Sequence, residues 1–449
     1  MKLFLIIKTF KISLKEFMLK LISTISLFLF SFSVFAEKLT IVSVNNGDMV
    51  RMQKLASDFT KKNPGIELDF QFMEENVLRQ KVTLDITNKG GAYDIMTIGM
   101  YEAPMWGEKG WLVPMNDLPS SFDIDDILPA VRGGLSHNGV LYAAPFYGES
   151  SFTMYRVDLF AEKGLTMPDK PTWGEIYKFA KALHNPPEVN GICLRGKPGW
   201  GENAAFIGTV ANAFGARWVD DQWNPQLTGP AWTHAFSFYV DLVQNYGPKG
   251  APNNGFNENL KLFNQGKCAM WIDATVAASF VTNKEESTVY NKVNFALAPS
   301  AVTEKGGWLW SWAIAIPAGT KKEAAAKKFI MWATSKDYIE LVADKHGWAN
   351  VPPGTRTSTY TNPMYLNNAP FARLTLAAMN AADPSMTGTL KPKPYIGVQF
   401  MTIPEFQAIG TEAGRQFSAA LAGKKSVEDA LESANKSAYK ILKKGRYIK

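Results

Sequence analysis

Three tryptophans at alternate positions form the most distinctive pattern in this sequence. Trp308, Trp310 and Trp312 follow directly on the glycine pair Gly306-Gly307. In an extended segment these indoles would project from one face, because residues two apart lie on the same side of a strand. Such a face stacks on the C–H surface of a sugar or sugar alcohol, and it is also typical of a strand buried in the core. The motif alone fits both interpretations.

Four acidic residues could serve either hydroxyl recognition or glycosidic bond cleavage. They are Glu102, Glu149, Glu202 and Asp273. A secreted glycoside hydrolase, the main alternative function, needs a carboxylate pair about 5–10 Å apart, and the spacing selects no such pair. The sequence also lacks the G-x-S-x-G, H-E-x-x-H and phosphate-loop motifs of other enzyme classes. We therefore favour a binding protein over an enzyme.

Histidine and cysteine are too sparse to indicate a metal site. The four histidines are scattered between residues 137 and 346, and no His or Cys pair has metal-ligand spacing. We expect neither a metal nor a cofactor. Cys193 and Cys268 could form one disulfide in an oxidising compartment, but the sequence does not show that they meet.

The first 36 residues are typical of a secretory signal peptide. Lysines precede an apolar run from Leu21 to Phe35, which ends at Ala36 and is too short to span a bilayer comfortably. Translation from Met18 would give a more compact leader of the same type. Because no cysteine follows the predicted cleavage site, we expect a free periplasmic protein without a lipid anchor.

Net charge and length indicate what kind of protein the exported chain is. Loss of the five lysines and one glutamate of the leader lowers the formal net charge from +7 to +3. The remaining cations are dispersed, except in a lysine-rich tail at 436–446 that is typical of a solvated terminal helix, so we expect no nucleic-acid partner. The rest of the chain is long enough for two domains, and we expect a monomer.

The exported part begins with a predicted β-α-β-α-β unit. Apolar residues alternate over 39–44 and 66–72, a third apolar strand covers 94–98, and helical periodicity lies between them. Such units form parallel sheets whose ligands bind beyond the carboxyl ends of the strands. Those ends are the predicted binding loops 45–47 and 99–102.

Three later segments predict further strands. Residues 141–147 and 152–155 are extended pieces interrupted at Gly148, as expected of a strand that passes from one domain to another. A short strand over 268–272 ends at Asp273. The tryptophan row continues into a buried-strand pattern that begins at Ala313.

With these elements the mature chain resembles the family 1 extracellular solute-binding proteins, the periplasmic receptors of sugar-importing ABC transporters. The resemblance covers nearly all of the mature chain and rests on the leader and five segments. The segments are 59–66, 93–96, 142–155, 266–270 and 313–329. Three stretches look like the mannitol/sorbitol-binding subgroup, namely 95–104, 145–151 and 199–203.

The resemblance implies an α/β fold of two lobes, each a mainly parallel sheet flanked by helices, with the ligand in a cleft between them. One lobe would comprise 37–148 plus 315–349, and the other 149–314 plus 350–449. The ligand would be a sugar alcohol or small sugar, and the partner an ABC permease in the inner membrane. Val276 stands where many maltose-type members have an aromatic residue, which argues against a long oligosaccharide.

Ten residues are the predicted ligand contacts. They are Asn46, Tyr101, Glu102, Tyr147, Glu149, Trp200, Asp273, Trp308, Trp310 and Arg356. Four of these come from the resemblance. They are Asn46 in the loop after the first strand, Tyr101 and Glu102 in the loop after the third, and Glu149 just past the hinge proline. Arg356 follows a rigid proline-rich loop that could aim its guanidinium at hydroxyls. Trp308 is the preferred stacking residue, whereas Trp312, next to the buried strand, is predicted to be core.

Overall fold

The computed structural model describes residues 36–448. All of the predicted signal peptide except Ala36, including the alternative start at Met18, lies outside the described residues. Within 36–448, no helix combines the length and apolar character that crossing a bilayer requires.

This part of the chain contains ten strands of two to eight residues. They are β1 (Glu37–Val44), β2 (Ile66–Met73), β3 (Ile95–Gly99), β4 (Ser136–His137), β5 (Val140–Leu141), β6 (Ala144–Glu149), β7 (Ser151–Arg156), β8 (Met270–Ala274), β9 (Val293–Leu297) and β10 (Trp310–Ala315). Of these, β3, β6, β8 and β10 are fully buried.

Helices cover both sheets. They are α1 (Gly47–Leu55), α2 (Ser57–Lys62), α3 (Glu75–Thr87), α4 (Glu102–Glu108), α5 (Pro129–Gly134), α6 (Val157–Glu162), α7 (Trp173–Leu183), α8 (Ala205–Ala213), α9 (Pro230–Tyr246), α10 (Phe256–Asn264), α11 (Ala277–Val281), α12 (Glu323–Ala333), α13 (Lys336–His346), α14 (Thr357–Thr361), α15 (Pro363–Asn368), α16 (Ala372–Ala381), α17 (Phe406–Leu421) and α18 (Val427–Lys444). Single turns of 3-10 helix cover 120–122, 124–126, 251–253 and 348–350, and a wider turn covers 200–204.

The first sheet contains the predicted β-α-β-α-β unit. Its strand order is β2-β1-β3-β10-β6, and β1 pairs in parallel with both β2 and β3. All five residues of β3 are buried, as expected for a central strand with helices on both faces. β10 runs antiparallel between β3 and β6. The carboxyl ends of β1, β3 and β6 therefore lie at one edge of the sheet.

The second sheet corrects the expectation that each lobe has a mainly parallel sheet. Its order is β8-β7-β9, and β7 is antiparallel to both neighbours. The reason is that β7 enters from the first lobe and lies between β8 and β9, which run in the same direction as each other and are joined through α11. The two-lobed α/β architecture is as expected.

The chain crosses between the two sheets two residues after the interruption predicted at Gly148, which itself lies within β6. β6 belongs to the first sheet and β7 to the second, so the change of sheet occurs at Ser150, between Glu149 and Ser151. The chain returns between β9 and β10. Because β10 lies wholly in the first sheet, this return is complete at Trp310, five residues before the predicted boundary at 315.

The two cysteines form a disulfide in the second lobe. Cys193 and Cys268 are joined, with 75 residues between them in the sequence. Isolated parallel bridges pair Asn190 with Cys268 and Cys193 with Trp271, so the disulfide fixes an extra extended segment beside β8. Both cysteines are completely buried.

The structure also corrects the prediction for Arg356, which lies away from any ligand cleft. The loop before it packs Gly354 against Gly148, on the face of β6 that points away from the side chains of Tyr147 and Glu149. A Cβ atom at either glycine would lie only 2.0–2.3 Å from the carbonyl oxygen of the other. Arg356 is 1% exposed. It donates to the carbonyl oxygens of Phe122, Asp123 and Thr334 at 2.9–3.1 Å. It therefore holds the loops of the first lobe together.

Loss of the disulfide should destabilise the protein without changing its fold. In a Cys193→Ala/Cys268→Ala variant we expect the free energy of unfolding to fall by about 2–4 kcal/mol, because a long loop is no longer closed in the unfolded chain. Urea unfolding followed by tryptophan fluorescence measures the change. Dithiothreitol should lower the midpoint of the parent protein and leave that of the variant unchanged; an equal response of both would contradict the assignment.

Arg356→Lys should lower the free energy of unfolding by about 2–4 kcal/mol, because an ammonium cannot satisfy three buried carbonyl groups that a guanidinium fork reaches. The exposed Arg373 offers a matched control. Arg373→Lys should unfold at the same urea concentration as the parent protein. If the two variants were equally stable, the structural role of Arg356 would be wrong.

Candidate functional site

A cavity of about 80 Å³ lies between the two lobes, at the edge where β1 and β6 end. A cavity of this size holds a small solute or several water molecules, not an oligosaccharide. Six of the ten predicted contacts line it, namely Asn46, Tyr147, Glu149, Trp200, Trp308 and Trp310. The other four predicted residues do not line it.

Two cross-strand pairs form one wall of the cavity. Trp310 of β10 pairs with Glu149 of β6, and Trp312 pairs with Tyr147. Residues two apart share a face of a strand, so all four side chains point to the cavity side. Trp312, which the sequence assigned to the core, is buried but also lines the cavity. The alternating tryptophans are therefore both core and cavity wall.

Trp308 and Trp200 present carbon rather than nitrogen to the cavity. Trp308 precedes β10, and Trp200 lies in the turn at 200–204 of the second lobe. The indole Nε1 of each is fully covered by protein and has no hydrogen-bond partner among residues 36–448. What these side chains expose is thus aromatic carbon, which suits stacking against the C–H face of a ligand.

Asn46 and Tyr147 form a hydrogen-bonded pair at the mouth of the cavity. Asn46 caps α1, since its Oδ1 accepts from the amide of Met49 at 3.0 Å. Its Nδ2 donates to the hydroxyl of Tyr147 at 2.8 Å. Burial, reinforced by Glu149, raises the pKa of Tyr147 well above its usual value, so the phenol keeps its proton. That proton is available to a ligand oxygen.

Glu149 is the carboxylate that lacks a partner. Its side chain is 6% exposed and lines the cavity. Within residues 36–448, neither carboxylate oxygen accepts a hydrogen bond or takes part in an ion pair, and the cation that acts on it most strongly is Arg195. Burial raises the pKa of Glu149 well above its usual range, against the opposing effect of Arg195. A buried acceptor of this kind favours a ligand that donates hydrogen bonds.

Arg79 is a cavity residue that sequence reasoning missed. Its Nε and Nη2 donate to Glu75 at 2.9 and 2.8 Å, and its Nη1 donates to Glu102 at 2.5 Å. Burial opposes the charge, but the two carboxylates outweigh it and raise the pKa of Arg79. The guanidinium carbon lies over three indole rings, 4.0 Å from the centre of Trp200, 4.8 Å from that of Trp312 and 5.0 Å from that of Trp310.

The prediction that Glu102 contacts the ligand directly is corrected by this arrangement. Glu102 is 2% exposed, and its other oxygen accepts from the amide of Gly99 at 3.0 Å. The carboxylate of Glu102 pairs with Arg79, and it is Arg79, not Glu102, that lines the cavity. The spacing of Glu75 and Arg79 four residues apart on a helix predicts an ion pair. Only the packing of α3 against Trp200 turns that pair towards a ligand.

Asp273 has a corresponding role in the second lobe. It is completely buried and does not line the cavity. Its carboxylate accepts from Nε and Nη2 of Arg195 at 2.6–3.1 Å and from the indole of Trp271 at 3.1 Å. Arg195, which does line the cavity, also donates to the carbonyl oxygen of Gly201 at 3.0 Å. Nothing local in the sequence singles out Arg195.

Tyr101 does not line the cavity but packs against Trp200, which does. Its hydroxyl donates to the carbonyl oxygen of Ile403 at 3.0 Å and accepts from the amide of Gln407 at 3.1 Å. Its ring packs on Trp200, with centroids 4.9 Å apart. The prediction of a direct ligand contact is therefore corrected, because these partners occupy the side chain within the protein.

A network of charges spans the two lobes at the edge of the cavity. Lys197 lies 3.1 Å from Glu74 in the first lobe, and 3.7–3.9 Å from Glu202 and Glu258 in the second. Burial raises the pKa of Glu202 to about 8, opposed by Arg195. Lys197 and Glu74 also line the cavity.

Three further side chains, from Val276, Gln399 and Phe256, also line the cavity. Val276 lies in the wall, at the position where the sequence departs from maltose-type members. Gln399 and Phe256 also line the cavity, and neither carries a sequence signal. Residues 36–448 contain no group of three or more His, Cys, Asp or Glu side chains arranged to hold a metal ion.

The cavity can therefore do three things for a small solute. Indole carbon offers stacking surfaces, Tyr147 and the two arginines offer hydrogen-bond donors, and Glu149 offers an unpaired acceptor. Each arginine is already neutralised by carboxylates of its own lobe. This combination suits a small molecule with many hydroxyl groups.

Comparison with known proteins identifies the family of this chain. The family model for bacterial extracellular solute-binding proteins matches residues 45–340. The chain is 56% identical over 416 residues to a mannitol-binding protein of Pseudomonas aeruginosa, an alignment that covers 92% of this chain and 95% of that protein.

Two solved structures of solute-binding proteins extend the comparison. One, from Agrobacterium vitis S4 with bound D-mannitol, has a TM-score of 0.91 at 60% identity and covers 92% of this chain and 100% of its own. Another, from Agrobacterium radiobacter K84 in complex with ribitol, has a TM-score of 0.80 at 26% identity, with 91% and 99% covered. The family model and the relative at 56% identity show that the chain belongs to the bacterial extracellular solute-binding proteins.

Proposed function

We propose that this protein is the substrate-binding component of an ABC importer and that it binds a linear sugar alcohol of the mannitol type in the interlobe cavity. The observation that carries the proposal is Glu149, a buried acceptor without a protein donor, beside the indole of Trp310. Similarity to a mannitol-binding protein at 56% identity supports the same ligand class.

A linear polyol matches the cavity for physical reasons. Its hydroxyls on neighbouring carbons donate to the two oxygens of Glu149 and accept from Tyr147, Arg79 or Arg195. Its carbon chain packs against indole carbon. A hydrogen bond to a charged group contributes about 1.5–3 kcal/mol, so a few of these contacts suffice for tight binding in a dry cavity.

Binding is linked to closure because both lobes supply contacts. Asn46, Arg79, Tyr147 and Glu149 come from the first lobe, and Trp200 and Arg195 from the second. Several contacts join the lobes directly, including Asn76 with the carbonyl oxygen of Pro198 at 3.2 Å. The closed form, with its ligand enclosed, is the form that the membrane permease in our proposal recognises. The predicted signal peptide and the extracellular family support a periplasmic location.

Glycoside hydrolysis is less well supported. Asp273, Glu202 and Glu102, three of the four acids that could have formed a catalytic pair, lie within 3.4 Å of an arginine side chain. A general acid must reach the substrate, whereas Glu102 and Asp273 are buried beside their arginines and do not line the cavity. Glu149 has no second free carboxylate beside it in the cavity lining. The arrangement supports recognition rather than bond cleavage.

Isothermal titration with a panel of polyols and sugars tests the proposal. We expect D-mannitol to bind, a C5 polyol such as D-arabitol to bind more weakly, and maltose not to bind. Chromogenic glycosides should show no turnover. Binding of maltose in preference to any polyol, or hydrolysis that is lost in Glu149→Gln, would make the proposed function wrong.

Glu149→Gln should weaken mannitol binding by about 10- to 100-fold, because an amide accepts at one oxygen only and without charge; this follows from about 1.5–3 kcal/mol per charge-assisted hydrogen bond. Titration calorimetry measures the change. Glu162→Gln, at an exposed glutamate of α6, is the matched control and should bind like the parent protein. Equal affinities of the two variants would exclude Glu149 as a contact.

Trp308→Ala should weaken mannitol binding by about tenfold, since stacking of this kind contributes about 0.5–1.5 kcal/mol beyond the area buried. Trp308→Phe should recover part of the loss, because it restores an aromatic face. Trp111, a half-buried tryptophan that does not line the cavity, provides the control. A loss of affinity in Trp111→Ala as large as in Trp308→Ala would show a general effect on folding.

A further inference from the structure

We propose that the cavity selects its ligands by charge, accepting protonated amino polyols with the ammonium group at Glu149 and rejecting polyol carboxylates. The inference rests on the proposed function, since it names a second class of ligand for the same site. It follows from the balance of acidic and basic groups around the cavity and from Glu149, the one lining carboxylate that forms no ion pair among the described residues.

Acidic groups outnumber basic groups around the cavity. Four carboxylates and three cations line it, the cations being Arg79, Arg195 and Lys197. Directly behind these cations lie three more carboxylates, each within 4 Å of its cation. They are Glu102 at Arg79, Asp273 at Arg195 and Glu258 at Lys197. Acids therefore outnumber bases by seven to three.

Each of the three cations is already committed to more than one carboxylate. Arg79 pairs with Glu75 and Glu102, and Arg195 pairs with Asp273 and Glu202. Lys197 is surrounded by three carboxylates. An incoming anion would compete with acids that are fixed by the fold, so none of the cations is free to neutralise it. A carboxylate on the ligand would be buried among like charges.

Glu149 is the exception among the acids. It is 94% buried, lines the cavity, and has neither an ion-pair partner nor a hydrogen-bond donor in the part of the chain that the structure describes. Burial raises the pKa of Glu149, because the protein around it stabilises the negative charge less well than water does. A ligand ammonium supplies the missing compensation.

The immediate surroundings of Glu149 suit an ammonium group as well as a hydroxyl. Trp310 is the direct cross-strand neighbour of Glu149, so their Cβ atoms lie about 4.5–5.5 Å apart. A cation held by Glu149 therefore lies beside an indole, whose ring attracts positive charge. A primary amine on the first carbon of a polyol leaves the remaining hydroxyls in place for Tyr147 and the arginines.

Competition titrations with three ligands of the same carbon skeleton test the inference. They are D-mannitol, 1-amino-1-deoxy-D-mannitol and D-mannonate, each measured at pH 7 with the parent protein, Glu149→Gln and Glu162→Gln. The quantity to compare is the affinity ratio of the amine to mannitol, because a general loss of binding cancels in the ratio. We expect this ratio to fall at least fivefold in Glu149→Gln and to stay constant in Glu162→Gln.

Glu149→Asp keeps the charge and should keep the preference for the amine over the neutral polyol, which separates charge from shape. D-mannonate should bind the parent protein at least 100-fold more weakly than mannitol. An amine-to-mannitol ratio that is the same in the parent protein and in Glu149→Gln, or mannonate that binds as well as mannitol, would overturn the inference and leave mannitol binding intact. Failure of mannitol itself to bind would instead overturn the proposed function.

Discussion

The antiparallel pairing of β10 with β6 is the constraint on which the binding site depends. It sets Trp310 opposite Glu149 and Trp312 opposite Tyr147, so that a single register places two indoles, a phenol and a carboxylate on the same wall. A shift of β10 by one residue would turn both of its indoles away from the cavity. Gly148 lies between the two polar residues and faces the other way, where Gly354 packs against it. The same strand therefore forms the cavity wall on one face and packs against the loop of Gly354 on the other.

Buried ion pairs keep the polar groups of the cavity in place. Arg79 and Arg195 each come from a different lobe, and each is held by carboxylates of its own lobe. Burial of an isolated charge is unfavourable. The charge of a guanidinium that contacts two carboxylates and several indole rings is already compensated before a ligand binds. A neutral polyol then meets oriented donors without having to neutralise a charge. Glu149 is left uncompensated, which links ligand recognition to the electrostatics of the whole cavity.

Much of the fold follows from local sequence patterns. The alternation over 39–44 and 66–72 and the apolar run at 94–98 correspond to β1, β2 and β3, and the interruption predicted at Gly148 lies two residues before the change of sheet at Ser150. Six of the ten predicted contacts line the cavity, all of them at strand ends, next to glycines or in the tryptophan row. Arg356 shows the limit of such reasoning, since its rigid loop was recognised but the face of β6 on which that loop packs was not.

By itself the sequence determined the order of the elements, the crossing between lobes and the side chains suited to a polyol, because strand alternation and turn residues are local properties. Only the tertiary structure decided which polar groups meet a ligand and which meet each other. Glu102 and Asp273 also lie within three residues of a strand end, yet distant arginines, at positions 79 and 195, pair with their carboxylates. Pairing between residues far apart in the chain depends on packing, and it leaves Glu149 as the acceptor that a ligand must satisfy.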